Sequence, residues 1–341
     1  MNKSLIRAIE KAYGCQVSGA KQRRKVYVLR TNKGHWVLKG YRSRDKAEQV
    51  TQLADYLHEQ GFFRTVQYIG TVQGSKVSKI GNKHFTMMKA INGREASNAY
   101  PYDMKQALMT LARFHLAARG YPHDHQLNPY HPPLLEKWER RLTHFEEVAE
   151  KIRTRGAQNR LEEVIRAMAR EVLEDGHALL HHVHKLPLYA EMQAAVTQRT
   201  LAHRDVASHN FLLTPNGHCY LIDLDTVAPD MQLADLVQFF SRMLVLQGYS
   251  LDAFLDGIDA YCKVYPLSDV QIWMIHQLLR YPDNFLREVT GVYEQRAGYQ
   301  ARHVLQLLML EWRNRANRRR FLEAETEIWR HSPWGAYHVV G

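Results

Sequence analysis

Asn216-Gly217 lies between Phe211 to Thr214 and His218 to Ile222, two apolar-rich runs of strand-forming residues. Asn-Gly is the strongest short hairpin signal, because both residues tolerate the positive φ that a tight turn demands. A two-residue loop makes Pro215 face His218, and stepping outward along the ladder sets Asn210 opposite Asp223. An amide and a carboxylate then meet at the open end of the hairpin, beside the loop that holds His203, Arg204 and Asp205. Oxygen donors of that kind suit magnesium, which takes one or two carboxylates and completes its shell with phosphate and water. Asp205 remains free to orient or deprotonate a hydroxyl next to that phosphate. The plainer alternative is that an Asp near an Asn in a loop serves as a turn or helix cap.

The order of elements around this segment is that of an α+β chain with a small α/β lobe first and a larger helical lobe after it. The runs at Val26 to Arg30 and His35 to Lys39 flank Thr31-Asn32-Lys33-Gly34 and read as a hairpin. Ser43 through Gln60 has no Pro or Gly and carries Val50, Leu53, Ala54 and Leu57 at helical spacing, with Gly61 as its stop. Strand-like runs return at Val66 to Val72 and Phe85 to Met88, and Asn92-Gly93 breaks the pattern, which places the lobes at 1–92 and 93–341. Tyr102 to Arg119 is amphipathic and ends at Gly120. Leu134 to about His184 is dense in charge, with Gly156 and Gly176 as its breaks, and reads as two long exposed helices within an insertion over about 121–184. Helices are expected again at Leu233 to Leu246, Leu251 to Val264, Asp269 to Leu279 and Ala301 to Glu327.

His203-x-Asp205-x-x-x-x-Asn210 followed by Ile222-Asp223 resembles the catalytic loop and metal-binding segment of aminoglycoside phosphotransferases, choline-kinase-like enzymes and, more distantly, protein kinases. The resemblance implies a bilobal protein-kinase-like fold that uses ATP or GTP with Mg2+. It further implies Asp205 as catalytic base, Asn210 and Asp223 as magnesium ligands, and Lys39, at the end of a strand, as the lysine that meets the nucleotide phosphates. Glu48, Asp55 and Glu59 on the following helix compete as the carboxylate partner of Lys39, with Glu48 preferred. His203 reads as a packed loop residue, Asp235 in LADLVQFF as a brace for the catalytic loop, and Asp225 as either a second metal neighbour or a bond to local backbone. No G-x-G-x-x-G separates the first strands, which weighs against a protein kinase more than against nucleotide binding.

Leu111-Ala112-Arg113-Phe114-His115 with Gly120-Tyr121, HRDVASHNFLL, YLIDLDTVAPD and Tyr281-Pro282-Asp283-Asn284-Phe285 are together similar to the spore-coat kinase-like proteins of the CotS and YutH type. That branch implies synthesis in the cytoplasm and possible deposition in the spore coat. It leaves two functions open: phosphoryl transfer to a small-molecule or coat-protein hydroxyl, or a catalytically idle coat module that binds coat proteins.

Bulk properties narrow the partners. Lys plus Arg exceed Asp plus Glu by 46 to 35, a net charge of +11, concentrated in Lys21 to Lys25 and Arg313 to Arg320. Such runs usually form solvated faces, and no nucleic-acid reading motif accompanies them. The positive balance also argues against a polycationic antibiotic as acceptor. Three widely spaced cysteines, Cys15, Cys219 and Cys262, give neither a disulfide framework nor a zinc pattern. No stretch approaches the roughly 18 apolar residues of a membrane helix, and the amino terminus has neither a secretory core nor a lipidation signal. His177, His181, His182 and His184 lack acidic or Cys companions and read as a solvated face.

Overall fold

The computed structural model describes residues 1–123 and 127–331; residues 124–126 of the expected insertion lie outside the described residues. Helix α1 (Lys3–Tyr13) is capped by the Asn2 side chain and stopped by left-handed Gly14, φ 59°. Strands β1 (Val17–Arg23), β2 (Val26–Thr31) and β3 (Gly34–Tyr41) form an antiparallel meander. Helix α2 (Arg44–Glu59) follows, capped by Ser43. Strands β4 (Tyr68–Ile69), β5 (Val77–Ile80) and β6 (Lys83–Lys89) complete a six-stranded sheet ordered β1-β2-β3-β6-β4, with β5 on β6. The sequence reading anticipated the 26–39 hairpin and α2, and missed α1, β1 and β5; in β1 the mostly exposed polar residues hide the strand period.

Strand alternation decides which lobe each residue of β3 addresses. Trp36 and Leu38 point into the small core shared with Ile9, Tyr13, Leu29 and Met87. Val37, and with it Lys39 and Tyr41 by the same period, takes the opposite face, towards the main core. Helix α2 covers that side and buries Val50, Leu53, Ala54 and Leu57 in the same cluster as Leu108 and Leu111 of the helical lobe. Each fully buried leucine of this seam contributes about 1.5–3 kcal/mol of transfer free energy.

The chain then crosses over. The two-residue strand β7 (Arg94–Glu95) pairs with the later hairpin rather than with the sheet. Gly93 is required at the crossing, since a Cβ there would meet the Leu213 carbonyl oxygen at 2.8 Å. Arg94 grips the buried Asp103 with two bonds of 2.5 and 2.7 Å, which fixes the start of α3 (Pro101–Ala117). Helices α4 (Pro133–Arg155) and α5 (Arg160–His182) pack on each other and on the rest of the lobe. They are not exposed helices: Trp138, Phe145 and Ile152 of α4 and Ile165 and Val172 of α5 are core residues. Dense charge on their outer faces obscured the apolar stripe in the sequence. Gly156 ends α4, whereas Gly176 lies inside α5 and is no break; its missing Cβ admits the Leu142 side chain.

Helix α6 (Leu188–Gln198), strands β8 (Leu201–Ala202), β9 (Phe211–Leu213), β10 (Cys219–Leu221) and β11 (Ala228–Pro229), and helices α7 (Leu233–Leu246), α8 (Leu251–Cys262), α9 (Asp269–Leu278), α10 (Asp283–Tyr293) and α11 (Ala301–Glu323) complete the lobe. Helix α7 is apolar on nearly every side and runs through the centre of the core. The three cysteines are unpaired. No described helix is long and apolar enough to cross a membrane.

Candidate active site

The site begins with the β9–β10 hairpin, whose register differs by one residue from the expected one. Leu213 faces Cys219 and Phe211 faces Leu221, and the Thr214 N–H donates to the His218 carbonyl at 2.9 Å. The loop is therefore Pro215-Asn216-Gly217, closed by left-handed Gly217 at φ 77°. Proline at the first loop position suits a type I turn, and the left-handed glycine after it makes the three-residue connection rather than the two-residue one. Asn210 consequently lies opposite Ile222, whose N–H donates to the Asn210 carbonyl at 2.9 Å, and not opposite Asp223.

Asp223 enters the site by a different device. Its backbone is left-handed, φ 63° and ψ 64°, a conformation that costs a non-glycine residue about 1–2 kcal/mol and ends the strand after Ile222. The side chain is delivered to Lys39 from the other lobe. Lys39 Nζ lies 2.6 Å from Asp223 Oδ1 and 2.8 Å from Asp225 Oδ2. Tyr41, two residues along the same strand face, donates its hydroxyl to Asp225 Oδ1 at 2.9 Å. Burial would lower the Lys39 pKa, but the two carboxylates outweigh it and raise it. Burial pushes the Asp223 carboxyl up, and the Lys39 charge more than offsets this, leaving it below the ordinary value. Both groups are thus held ionised at neutral pH. The structure does not pair Glu48 with Lys39: Glu48 Oε1 accepts from Arg44 Nε at 2.8 Å, one turn away on its own helix.

Asp205 is held by Asn210 and Arg242. Asn210 Nδ2 donates to the Asp205 carbonyl at 2.8 Å and to its Oδ2 at 3.3 Å, leaving Asn210 Oδ1 without a donor among the described residues. Arg242 of α7 reaches Asp205 Oδ1 with two nitrogens, at 3.3 and 3.4 Å. Among the described residues no group of three His, Cys, Asp or Glu side chains could hold a metal ion. A cation here would have to rely on the free amide oxygen of Asn210, the Asp223 carboxylate and outside ligands, which matches the habit of magnesium and excludes a zinc-type cage.

The loop that presents Asp205 is clamped from below. Asp235, buried in the first turn of α7, accepts the His203 N–H at 2.5 Å and the Arg204 N–H at 2.7 Å. The second bond holds Arg204 at φ 66°, so the loop is bent on both sides of Asp205 and Asn210 by strained residues whose partners over-determine them. His115 supplies a third donor to Asp235 at 3.0 Å, while its Nδ1 accepts from Tyr261 Oη at 2.7 Å. Burial lowers the His115 pKa, and the neutral ring with its proton on Nε2 satisfies both neighbours. Burial alone would raise the Asp235 pKa, but the His115 hydrogen bond and the nearby donors lower it on balance. His203 is fully buried, bonds the Ile222 carbonyl at 3.1 Å through Nε2, and packs edge-on against Phe114. His177 pairs with Glu146.

Sequence reasoning missed Tyr41 and Arg242. Both had a readable position: Tyr41 shares the face of Lys39 by the strand period, and Arg242 follows Asp235 by two helical turns on one face of α7.

A small antiparallel sheet that brings a lysine down onto a helical lobe, where a loop and a hairpin present an aspartate, an asparagine and a second aspartate, is a kinase-like fold. The phosphotransferase enzyme family model matches residues 15–265, and the chain belongs to that family. Among solved structures it is similar to an aminoglycoside phosphotransferase from Alicyclobacillus acidocaldarius subsp. acidocaldarius, with TM-score 0.83 and 17% identity over 97% of each chain. It is also similar to a spectinomycin phosphotransferase solved with ADP and spectinomycin, with TM-score 0.65 and 13% identity over 96% of this chain and 99% of that one. An amicoumacin kinase solved with AMP-PNP and Ca2+ matches with TM-score 0.60 and 16% identity over 97% of this chain and 95% of that one. At these identities the likeness speaks to fold.

Proposed function

We propose that the chain transfers a phosphoryl group from a magnesium-bound nucleoside triphosphate, ATP or GTP, to a hydroxyl acceptor. In this reading Asp205 orients the acceptor hydroxyl and takes its proton. Asn210 and Asp223 hold the metal, and Lys39 neutralises phosphate oxygens from the sheet side. Bound magnesium would supply charge neutralisation at the β- and γ-phosphates. The observation that carries the reading is the meeting of Lys39 with Asp223 across the two lobes at 2.6 Å, beside an Asn210 amide oxygen that no described group engages. The nucleotides in two of the similar structures, one of them with Ca2+, support it. The sequence motifs shared with CotS-type proteins support a role at the spore coat, with a small molecule or a coat protein as acceptor.

A second reading, an idle coat module, is favoured by one feature. The turn between β1 and β2, where a glycine-rich phosphate loop would lie, is the basic run Arg23-Arg24-Lys25, tied to the linker through Arg24 and Glu95 at 3.2 Å. The two readings separate in a melting experiment followed by an ADP-release assay. A ligand bound only by the folded state at a hundredfold excess over Kd stabilises it by about 2.7 kcal/mol. Magnesium with ATP or GTP is expected to raise Tm by several degrees, and Asp223→Ala to remove most of the magnesium-dependent part. Absence of any shift with millimolar ATP or GTP and magnesium would refute phosphoryl transfer. A shift with no ADP release against spore extract would identify the idle module.

A further inference from the structure

Three helices meet behind Asp205 and bring four cationic side chains. Helix α7 contributes Arg242, α10 contributes Arg287, and α4 contributes Lys137 and Arg141. Arg141 is paired with Asp283 and Arg287 with Glu288. What remains is donor capacity. Arg242 Nε and Arg287 Nη1 are buried without a hydrogen-bond partner, and Arg287 as a whole is only 7% exposed. An unpaired buried N–H of a charged group costs more than the about 1–3 kcal/mol of a neutral one, so two of them in one region call for an acceptor. Lys137 is half-buried, and no hydrogen bond or ion pair among the described residues engages its ammonium. Its proton affinity is lowered first by burial, with Arg141 and Arg242 adding to the fall against the pull of Asp283 and Asp230. Arg242 in turn is pushed down to about 10, by burial and then by Arg287. These couplings place the four cations within electrostatic reach of one another.

The hold of Arg242 on Asp205 belongs to the same picture. Both nitrogens share one carboxylate oxygen, at 3.3 and 3.4 Å, well beyond the about 2.7–2.9 Å of a good charge-assisted bond. An acceptor hydroxyl that approaches Asp205 must take over part of that contact, and Arg242 then needs an anion in exchange.

We infer that the acceptor of this chain is an anionic alcohol, a hydroxyl compound that also carries a carboxylate or phosphate group, with Lys137, Arg242 and Arg287 binding the anion while Asp205 addresses the hydroxyl. The inference rests on the phosphotransfer reading and names its substrate class. In the transfer the acceptor oxygen forms the bond to the γ-phosphorus and its proton goes to Asp205. The bond from that phosphorus to the β,γ-bridging oxygen breaks, and its electron pair leaves with the nucleoside diphosphate. A polycationic aminoglycoside would face like charge at this surface, which repels the wrong partner as effectively as opposite charge selects the right one.

The test measures binding before turnover. Thermal melting at constant ionic strength compares D-glycerate and glycerol 3-phosphate with glycerol, choline and kanamycin, for the wild type, Lys137→Met and Lys137→Arg. We expect saturable upward shifts with one or both anionic alcohols and none with the neutral or cationic ones. We expect Lys137→Met to weaken the anion at least tenfold and Lys137→Arg to retain most of it. A response to glycerol 3-phosphate alone marks a phosphate-bearing acceptor, and a response to glycerate a hydroxy acid. A shift equal in wild type and Lys137→Met would mean general surface screening and overturn the inference, as would no shift or a preference for choline or kanamycin. Magnesium-nucleotide melting of the same proteins runs alongside. A retained nucleotide shift shows that Lys137→Met is folded, and a missing one in the wild type would refute phosphoryl transfer itself rather than the acceptor class.

Discussion

Removing Asp235 gives the sharpest test of how the catalytic loop is held. Asp235→Ala deletes the acceptor for the His203 and Arg204 N–H groups and for His115 Nε2. His115 and His203 are fully buried, so bulk water does not reach the donors left behind. Each buried donor left unsatisfied costs about 1–3 kcal/mol. Because the three donors share one carboxylate the terms do not add, and we expect a loss of about 4 kcal/mol. At about 2 °C per kcal/mol for a chain of this size, Tm falls by about 8 °C. Chemical denaturation with urea is the assay, since the midpoint moves at constant slope when stability alone changes. The effect has a pH signature. Asp235 titrates below its ordinary value of 3.8 in the fold, so its contribution is complete above that value and disappears as pH falls through the lower folded one. The gap between wild type and variant must therefore close on acidification below pH 3.8. A loss under about 1 kcal/mol at pH 7, below the cost of even one unsatisfied donor, would show that Asp235 is not the clamp. A gap that persists at low pH would show that its charge is not what matters.

Asp205→Asn is expected to lower ADP release about 10²- to 10⁴-fold, the range for loss of a general base, with nucleotide affinity nearly unchanged; equal activity would exclude Asp205 as the base. Asp230 tests the opposite pH sign. It is buried and pushed up to about 6 by desolvation, only partly countered by Arg204. The fold therefore binds its proton more tightly than the unfolded chain, and stability is lost as pH rises from 3.8 towards 6. Asp230→Asn should then gain on the wild type by up to about 3 kcal/mol between pH 4 and pH 8, read from urea midpoints; a constant difference across that range would refute the shift.

Much of this molecule is local and legible in the chain. The 26–39 hairpin follows from β-prone runs around a turn, α2 from helical spacing between Ser43 and Gly61, and the functional segment from the residues between His203 and Asp223. Even the brace at Asp235 is foreshadowed by its place in an apolar helix. These features depend on period and on turn chemistry, which neighbouring residues fix.

The rest was decided at longer range. The register around Asn216-Gly217 depends on whether proline or asparagine opens the turn, and the left-handed Gly217 settled it one residue away from the simplest rule. Charge on the outer faces of α4 and α5 hid stripes that only the packed helical lobe explains. The partner of Lys39 was open in the sequence because Glu48, Asp55 and Glu59 all lie on the next helix. Strand alternation sends Lys39 and Tyr41 across the cleft instead, and left-handed Asp223 turns to meet them. The cations behind Asp205 come from α4, α7 and α10, roughly 100 and 50 residues apart along the chain. No local pattern joins such segments; only burial of their apolar faces against a common core brings Lys137, Arg242 and Arg287 to one place.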